Sequence, residues 1–393
     1  MRRRDFLKNS GLASTALMVP SFLKSHLGDA SMTAGKTVVV VQLSGGNDGL
    51  NTIVPYRNDL YYKNRPTLGL KKEELLRVDD ELGFNPALKA LKGIYDDGLM
   101  SVINSVGYPN PDRSHFRSMD IWQTGSGSNQ YWSNGWLGRY LDSDCSGCEN
   151  PYQAIEVDDS LSLAMKGKTK NGFAVSNPRE LKKVTDNSFL QKIAKEQNYQ
   201  EEENVAYLYK TMIDTQSSAN YLYQQSKKYK ETVSYPNSSF ARDLKCISKL
   251  MTAGTDTRVY YVSLSGFDTH ANQKNKQNRL LKEYAEGIAA FIKDLKQHQL
   301  IKDTMIMTFS EFGRRVKQNA SGGTDHGTAN NVFLMGGQLP KQGFFNGAPN
   351  LQNLDKGDLR YEIDFRSIYA SLLENWLDAD AKTVLDGFEG KLF

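Results

Sequence analysis

Five histidines occur in this 393-residue sequence, and three of them stand beside a carboxylate or a hydroxyl in polar loops. "SGGTDHGTANN" (321 to 331) sets Asp325 and His326 between glycines, "GFDTH" gives Asp268 and His270, and "PNPDRSHFRSMD" gives Arg113, Ser114 and His115. Two further polar loops, "SGGNDGLN" with Asp48 and "EFGRR" with Glu311 and Arg314, contain acids of the same kind. Imidazole with carboxylate suits Zn²⁺ and related ions, whereas carboxylate with hydroxyl suits the harder Mg²⁺, Ca²⁺ or Mn²⁺. A lone loop aspartate ordinarily caps a helix or closes a turn. What points to a ligand site is that all three histidines share this setting, while His26 falls in the N-terminal segment and His298 near the polar end of a helical stretch. The glycines let backbone approach a ligand and take positive φ.

These loops need elements to position them. "TVVVVQL" (37 to 43), "LMSVINSV" (99 to 106), "RVYYVSLS" (258 to 265), "TMIMTFS" (304 to 310) and "NVFLMGG" (331 to 337) are continuous apolar, β-branched runs, which read as strands buried on both faces. Between them, "NPALKALKGIYDDG" offers Asn85 as an N-cap with Pro86 at the first helical position, and residues 273 to 299 have the pattern of one long amphipathic helix. Alternating strands and helices predict an α/β fold with a mainly parallel sheet flanked by helices and right-handed crossovers. In such sheets ligands gather beyond the carboxyl ends of the strands. Asp48, Ser114, His115, Asp268, His270, Glu311 and Arg314 all follow a strand, while Asp325 and His326 precede the last one. The stretch from about 158 to 250 is charged, rich in Gln, Lys and Tyr, and reads as a helical insertion or cap over one end of the sheet.

The formal charge of +4 comes mostly from residues 1 to 30, which hold five basic and two acidic groups; the remainder has 44 basic against 43 acidic residues. That balance provides no global field for nucleic acid. With 39% hydrophobic and 24% charged residues the chain is of ordinary globular composition. Its length fits one large domain with insertions or two domains. The start, "MRRRDFLKNSGLASTALMVPSFL", has a basic head and a short apolar stretch, and Arg3-Arg4-Asp5-Phe6-Leu7-Lys8 fits the twin-arginine pattern R-R-x-F-L-K. We therefore expect an export signal over residues 1–35, recognition by the twin-arginine machinery, a periplasmic or extracellular destination, and a domain over 36–393. The apolar stretch is short of the roughly 20 residues a membrane span needs, so no stable transmembrane span is expected. Cys145 and Cys148 in "CSGC" could close a small disulfide in an oxidising compartment, and Cys246 reads as a core residue.

"VVVVQLSGGNDGLN", "RSHFRSMDIWQTG", "VSLSGFDTH" and "SEFGRRVKQNASGGTDHGTANNVFLMGG" resemble the exported bacterial proteins called DUF1501, relatives of the alkaline phosphatase and sulfatase superfamily, over roughly residues 36 to 393. The resemblance implies an alkaline-phosphatase-like core. It implies that Asp48 binds the metal that activates a nucleophile, and that Asp268, His270 and His326, with Asp325 beside them, hold another metal, Zn²⁺ at one site with Ca²⁺, Mg²⁺ or Mn²⁺ among the candidates for a second. Glu311 stands where the superfamily places Asp followed by His; here Phe312 follows, which weakens, alters or removes the second site.

Counting back from Thr124-Gly125 at the superfamily's spacing lands on Ser114 or His115. Ser114 is the natural nucleophile, and the competing reading is an ordinary helix N-terminal hydroxyl. His115 is open to three roles: metal ligand, acid for the leaving group, or a group orienting a ligand. Arg113 or Arg314 could clamp the oxygens of an anion. The implied activity is an exported metal-dependent hydrolase of phosphate or sulfate esters, acting on an anionic small molecule or glycan ester. The alternative is a non-catalytic, metal-stabilised protein that binds an anionic glycan or an envelope partner.

Overall fold

The computed structural model describes residues 35–144, 151–187 and 203–393. The export signal expected over residues 1–35 lies almost wholly, and the Cys145–Cys148 pair wholly, outside the described residues. Lys36–Phe393 forms one unit.

Nine strands build its main sheet: β1 (Thr37–Ser44), β2 (Met100–Gly107), β3 (Ala154–Glu156), β4 (Phe173–Ala174), β5 (Val259–Ser265), β6 (Thr304–Phe309), β7 (Asn330–Gly336), β8 (Gly343–Phe344) and β9 (Ile363–Asp364). Their order is β8-β2-β7-β6-β1-β5-β3-β4, with β9 also on β2. β1 runs parallel to β5 and β6, and β3 parallel to β4 and β5. β7 runs antiparallel to both of its neighbours. The mainly parallel sheet expected from the apolar runs is therefore present. The direction of β7 explains how a loop before a strand joins loops that follow strands: its first residues lie at the edge where β1, β5 and β6 end.

The strands are mainly apolar because both faces are covered. Val39, Val41, Tyr260, Val262, Ile306 and Phe333 point to one core, and Val38, Val40, Val259, Tyr261, Met305, Met307, Val332 and Leu334 to the other, as period-two alternation requires. Eight helices matter here: α1 (Lys89–Asp96), α2 (His115–Thr124), α3 (Trp136–Asp144), α4 (Pro178–Thr185), α5 (Glu203–Ser226), α6 (Ser239–Thr252), α7 (Gln273–Gln297) and α8 (Phe365–Asn375). Residues of α1, α6 and α7 fill the first core, and those of α2, α3 and α8 the second. Asn85 does cap its helix, accepting from the Ala87 N–H, although Pro86–Leu88 is a 3₁₀ turn that leads into α1.

The segment read as an insertion contains the edge strand β4 and the helices α4, α5 and α6. α4 packs on α5, while α6 packs on α7 and β5 as a sheet-covering helix leading into β5. Among the described residues no helix is long and apolar enough to cross a membrane.

Candidate metal centre at the strand ends

α2 starts where the loop after β2 turns back over the sheet edge. Ser114 is its N-cap, but the Ser114 hydroxyl makes no capping bond; the Ser114 N–H donates to Asp112 Oδ1 at 2.7 Å and the side chain is exposed. His115, the first helical residue, turns inward. Its Nδ1 lies 2.9 Å from Glu311 Oε1, and its Nε2 lies 3.6 Å from Asp268 Oδ2. His326 arrives from the loop before β7, with Nδ1 2.7 Å from the Arg113 carbonyl oxygen and Nε2 3.5 Å from Asp268 Oδ1. Carboxylate and carbonyl oxygens only accept here, so both Nδ1 atoms carry protons, and in the neutral rings a metal ligand requires, both Nε2 atoms hold the lone pair.

Those two Nε2 atoms are buried without a hydrogen-bond partner. One ligand atom from each of His115, Asp268 and His326 lies within 4.8 Å of the other two. Tetrahedral ligands at roughly 2 Å from an ion sit about 3.4 Å apart; the two imidazoles approach this spacing, each to a different oxygen of Asp268. Orphaned imidazole lone pairs beside a carboxylate, each ring fixed through its other nitrogen, form the donor arrangement that such an ion needs. The residues fit the group.

His270 takes a different position from the one expected of a ligand. Its Nδ1 lies 2.8 Å from Asp268 Oδ1, its side chain is 46% exposed, and its ring centroid is 4.6 Å from that of His326. It sits at the mouth of the cluster, tied to Asp268.

Arg314 stands behind Asp268. Its guanidinium is wholly buried and donates to Asp268 Oδ1 (2.8 Å) and to the carbonyls of Gly45, Gly46 (2.7 Å), Phe267 (3.0 Å) and Thr324 (3.0 Å). One cation thus fastens the loops after β1 and β5 to the loop before β7. Its side chain is fully buried behind Asp268, with Nε and Nη2 engaged by backbone and carboxylate, so it braces the loops rather than presenting the expected fork to an anion.

Asp325 and the glycines beside it also differ from expectation. Asp325 is exposed and accepts from Asn319 Nδ2 at 3.1 Å, away from the converging atoms. A Cβ at Gly323 would lie 2.3 Å from the His270 carbonyl carbon, and one at Gly327 2.5 Å from that of Arg314. These glycines admit neighbouring backbone rather than a ligand. The bare loop exists because His326 and Arg314 pair across an antiparallel bridge.

Of the three other candidates, Asp48 and Arg113 pair with residues outside the cluster, and Glu311 supports His115. Asp48 is buried and bound by Arg65 Nη1 at 2.6 Å and by Gln273 Nε2. Arg113 pairs with the buried Asp358, which Arg315 also contacts at 3.1 Å. Glu311 is buried, with Oε1 shared between His115 and the Gly45 N–H at 2.8 Å. The Phe312 ring lies 4.8 Å from both His115 and His326. Among the described residues the acids expected at a second ion do not converge: Asp48 Oδ2 is bound by Arg65 and Gln273 while its Oδ1 is buried without a partner, Glu311 holds His115, and the Phe312 ring adjoins both histidines. Arg65 escaped notice in the sequence because "YYKNRP" reads as an ordinary solvated stretch.

The charges of the cluster shift its titration. The hydrogen bond to Glu311 raises His115 above the ordinary imidazole value, with the charges of Glu311 and Asp268 adding to it. Burial lowers His326, and the nearby Arg314, His115 and His270 lower it further. Burial would raise Asp268, but the hydrogen bond and charge of Arg314, helped by His270 and His115, outweigh it and bring Asp268 down to about 2. Asp268 is thus an anion at any working pH.

Residues 100–393 match the family described as "Protein of unknown function (DUF1501)". The chain belongs to the DUF1501 family. Among curated proteins none matches it. Solved structures give loose likenesses to this DUF1501 chain. The lipoteichoic acid synthase LtaP from Listeria monocytogenes is 9% identical, with a TM-score of 0.36 over 79% of this chain and 68% of that one. The C-terminal periplasmic domain of EcEptC from Escherichia coli is 11% identical, with a TM-score of 0.36 over 77% and 74%. A protein in the alkaline phosphatase superfamily from Vibrio parahaemolyticus is 9% identical, with a TM-score of 0.36 over 79% and 62%. Likenesses at this level carry no argument about chemistry, which rests on the residues themselves.

Proposed function

We propose that this DUF1501 protein is an exported, metal-dependent hydrolase of phosphate or sulfate esters, with one divalent ion held by His115, Asp268 and His326. The observation that carries the proposal is the convergence of two buried, unpartnered imidazole Nε2 atoms on the Asp268 carboxylate. When bound, a divalent ion supplies Lewis acidity toward the oxygens of an anionic ester. Zn²⁺ suits this donor set best. Support for an ester of phosphate or sulfate comes from the order of motifs along the chain and from charge. Arg314 already balances Asp268, so a divalent ion leaves the site positive, and Lys276, whose Nζ donates to the Asp268 carbonyl at 3.0 Å, adds to that.

The remaining chemistry falls to the chain's own groups. Glu311 holds the His115 proton on Nδ1, and the Arg113 carbonyl does the same for His326. Arg314 fixes Oδ1 of Asp268. His270, with Nδ1–H directed to Asp268, presents Nε2 as the base that takes the proton of an attacking water. This proposal departs from the serine nucleophile expected from the sequence: Ser114 is an exposed N-cap, and the residue of the "RSHF" run that faces the cluster is His115.

The test is hydrolysis of aryl and alkyl phosphates, phosphonates and sulfates by the metal-loaded protein. Activity that a chelator abolishes, that His270→Ala lowers in kcat without loss of the ion, and that Ser114→Ala leaves in place supports the proposal. If no ester is cleaved with Zn²⁺, Mn²⁺, Mg²⁺ or Ca²⁺, the anion-binding alternative replaces it.

A further inference from the structure

Beside His115 the strand-end loops leave an open cleft of about 470 Å³, within the range of small-molecule sites. Ser44 and Ser265, the last residues of β1 and β5, line it together with Phe116 and Met119 of α2, His115 and Asp268. Phe116 is 87% exposed, more than any other large apolar side chain among the described residues. No aromatic or cationic partner covers its ring among those residues. A ring this exposed adds nothing to the core and leaves its face free to stack on the flat face of a ligand. Successive helical residues lie about 100° apart around the axis, so a helix that turns His115 toward the ligand cluster sets Phe116 along the cleft wall next to it.

From this we infer that Phe116 is the specificity-determining platform for the alcohol part of the ester, and that this part is a six-membered ring with an apolar face. The inference rests on the hydrolase reading, since the anionic head must lie at the His115–Asp268–His326 cluster for its ring to reach Phe116. A largely apolar lining that includes two serines provides stacking area and few hydrogen bonds. That favours a flat ring over an extended polar chain. Aryl groups and pyranoses share this chemistry.

The test is calorimetric binding of three anions to the Zn²⁺-loaded protein: methylphosphonate, phenylphosphonate and glucose 1-phosphate. Phenylphosphonate should bind about tenfold tighter than methylphosphonate. Phe116→Ala should bring the two within about twofold while bound zinc and methylphosphonate affinity stay unchanged, and Phe116→Tyr should keep the difference. A Phe116-dependent gain for glucose 1-phosphate alone supports the inference with a sugar as the ring. Methylphosphonate binding with no gain for either ring, or a gain that survives Phe116→Ala, overturns this inference and leaves the hydrolase reading standing. Bound zinc with no affinity for any of the three overturns both.

Discussion

His115 Nδ1 lies 2.9 Å from Glu311 Oε1, and this hydrogen bond decides which nitrogen of the imidazole faces Asp268. With the proton held on Nδ1, the neutral ring has its lone pair on Nε2, which faces the Asp268 carboxylate. Glu311 is thus a positioning residue whose oxygen is also steadied by the Gly45 N–H.

Glu311→Gln should therefore keep the fold, being nearly isosteric, yet weaken zinc binding by about 10- to 100-fold, the usual effect of removing the carboxylate behind a ligating histidine. Isothermal titration with Zn²⁺ measures this. Unchanged affinity would show that Glu311 does not tune the ligand.

Asp48 gives the opposite pattern. Asp48 and Arg65 are both fully buried and lie 2.6 Å apart, so Asp48→Ala leaves an uncompensated guanidinium in the interior and should cost about 3 to 5 kcal/mol of stability. Urea unfolding measures the loss, and metal analysis of the folded variant should show the same stoichiometry as the wild type. A variant that stays stable but loses an ion would return Asp48 to the ligand set.

The sheet was legible because strands buried on both faces leave unbroken apolar runs, as in "TVVVVQL" and "TMIMTFS". The clustering of His115, Asp268, His270 and His326 was legible too, because polar residues at strand ends meet at one edge. What the sequence could not show was which partner each acid takes. Asp48 and Asp268 both follow strands beside glycines, yet one is neutralised by Arg65 and the other shared among Arg314, His270 and the converging histidines. Those pairings depend on side chains far apart in sequence, such as Arg314 reaching the Gly45 and Gly46 carbonyls. The choice between Ser114 and His115 also depended on the orientation of α2, which spacing alone does not fix.

Arg314 serves four carbonyls and one carboxylate from a wholly buried position. Arg314→Ala should cost roughly 3 kcal/mol or more, since several buried acceptors lose their donor at once. Arg314→Lys should restore only part of this, because an ammonium lacks the planar fork. Thermal unfolding of the two variants checks the order; equal loss in both would make charge, rather than the fork, the relevant property.

Metal-free protein should show an acid limb assigned to Asp268. Its folded value of about 2 lies below the ordinary aspartate value of about 3.9. The stability it contributes is therefore present above about pH 4 and lost as pH falls through about 2. His326, lowered by burial, likewise contributes above the ordinary imidazole value and loses that contribution as pH falls; His115, raised by Glu311, contributes below that value and loses it as pH rises. The two histidines oppose each other near neutrality, so the difference between wild type and Asp268→Asn should change mainly between about pH 4 and 2. Unfolding titrations across that range measure it, and a difference flat below pH 4 would contradict the assignment.

The most direct test of the account is the zinc content and zinc affinity of purified protein alongside Ser114→Ala, His115→Ala and His326→Ala. We predict one ion per chain in the wild type and in Ser114→Ala, with a melting temperature that falls when a chelator removes the ion. We predict severe loss of binding in His115→Ala and His326→Ala, because each removes a ligand atom. A wild type that binds no divalent ion and melts unchanged in chelator, or a His115→Ala variant that binds zinc as the wild type does, would contradict the account.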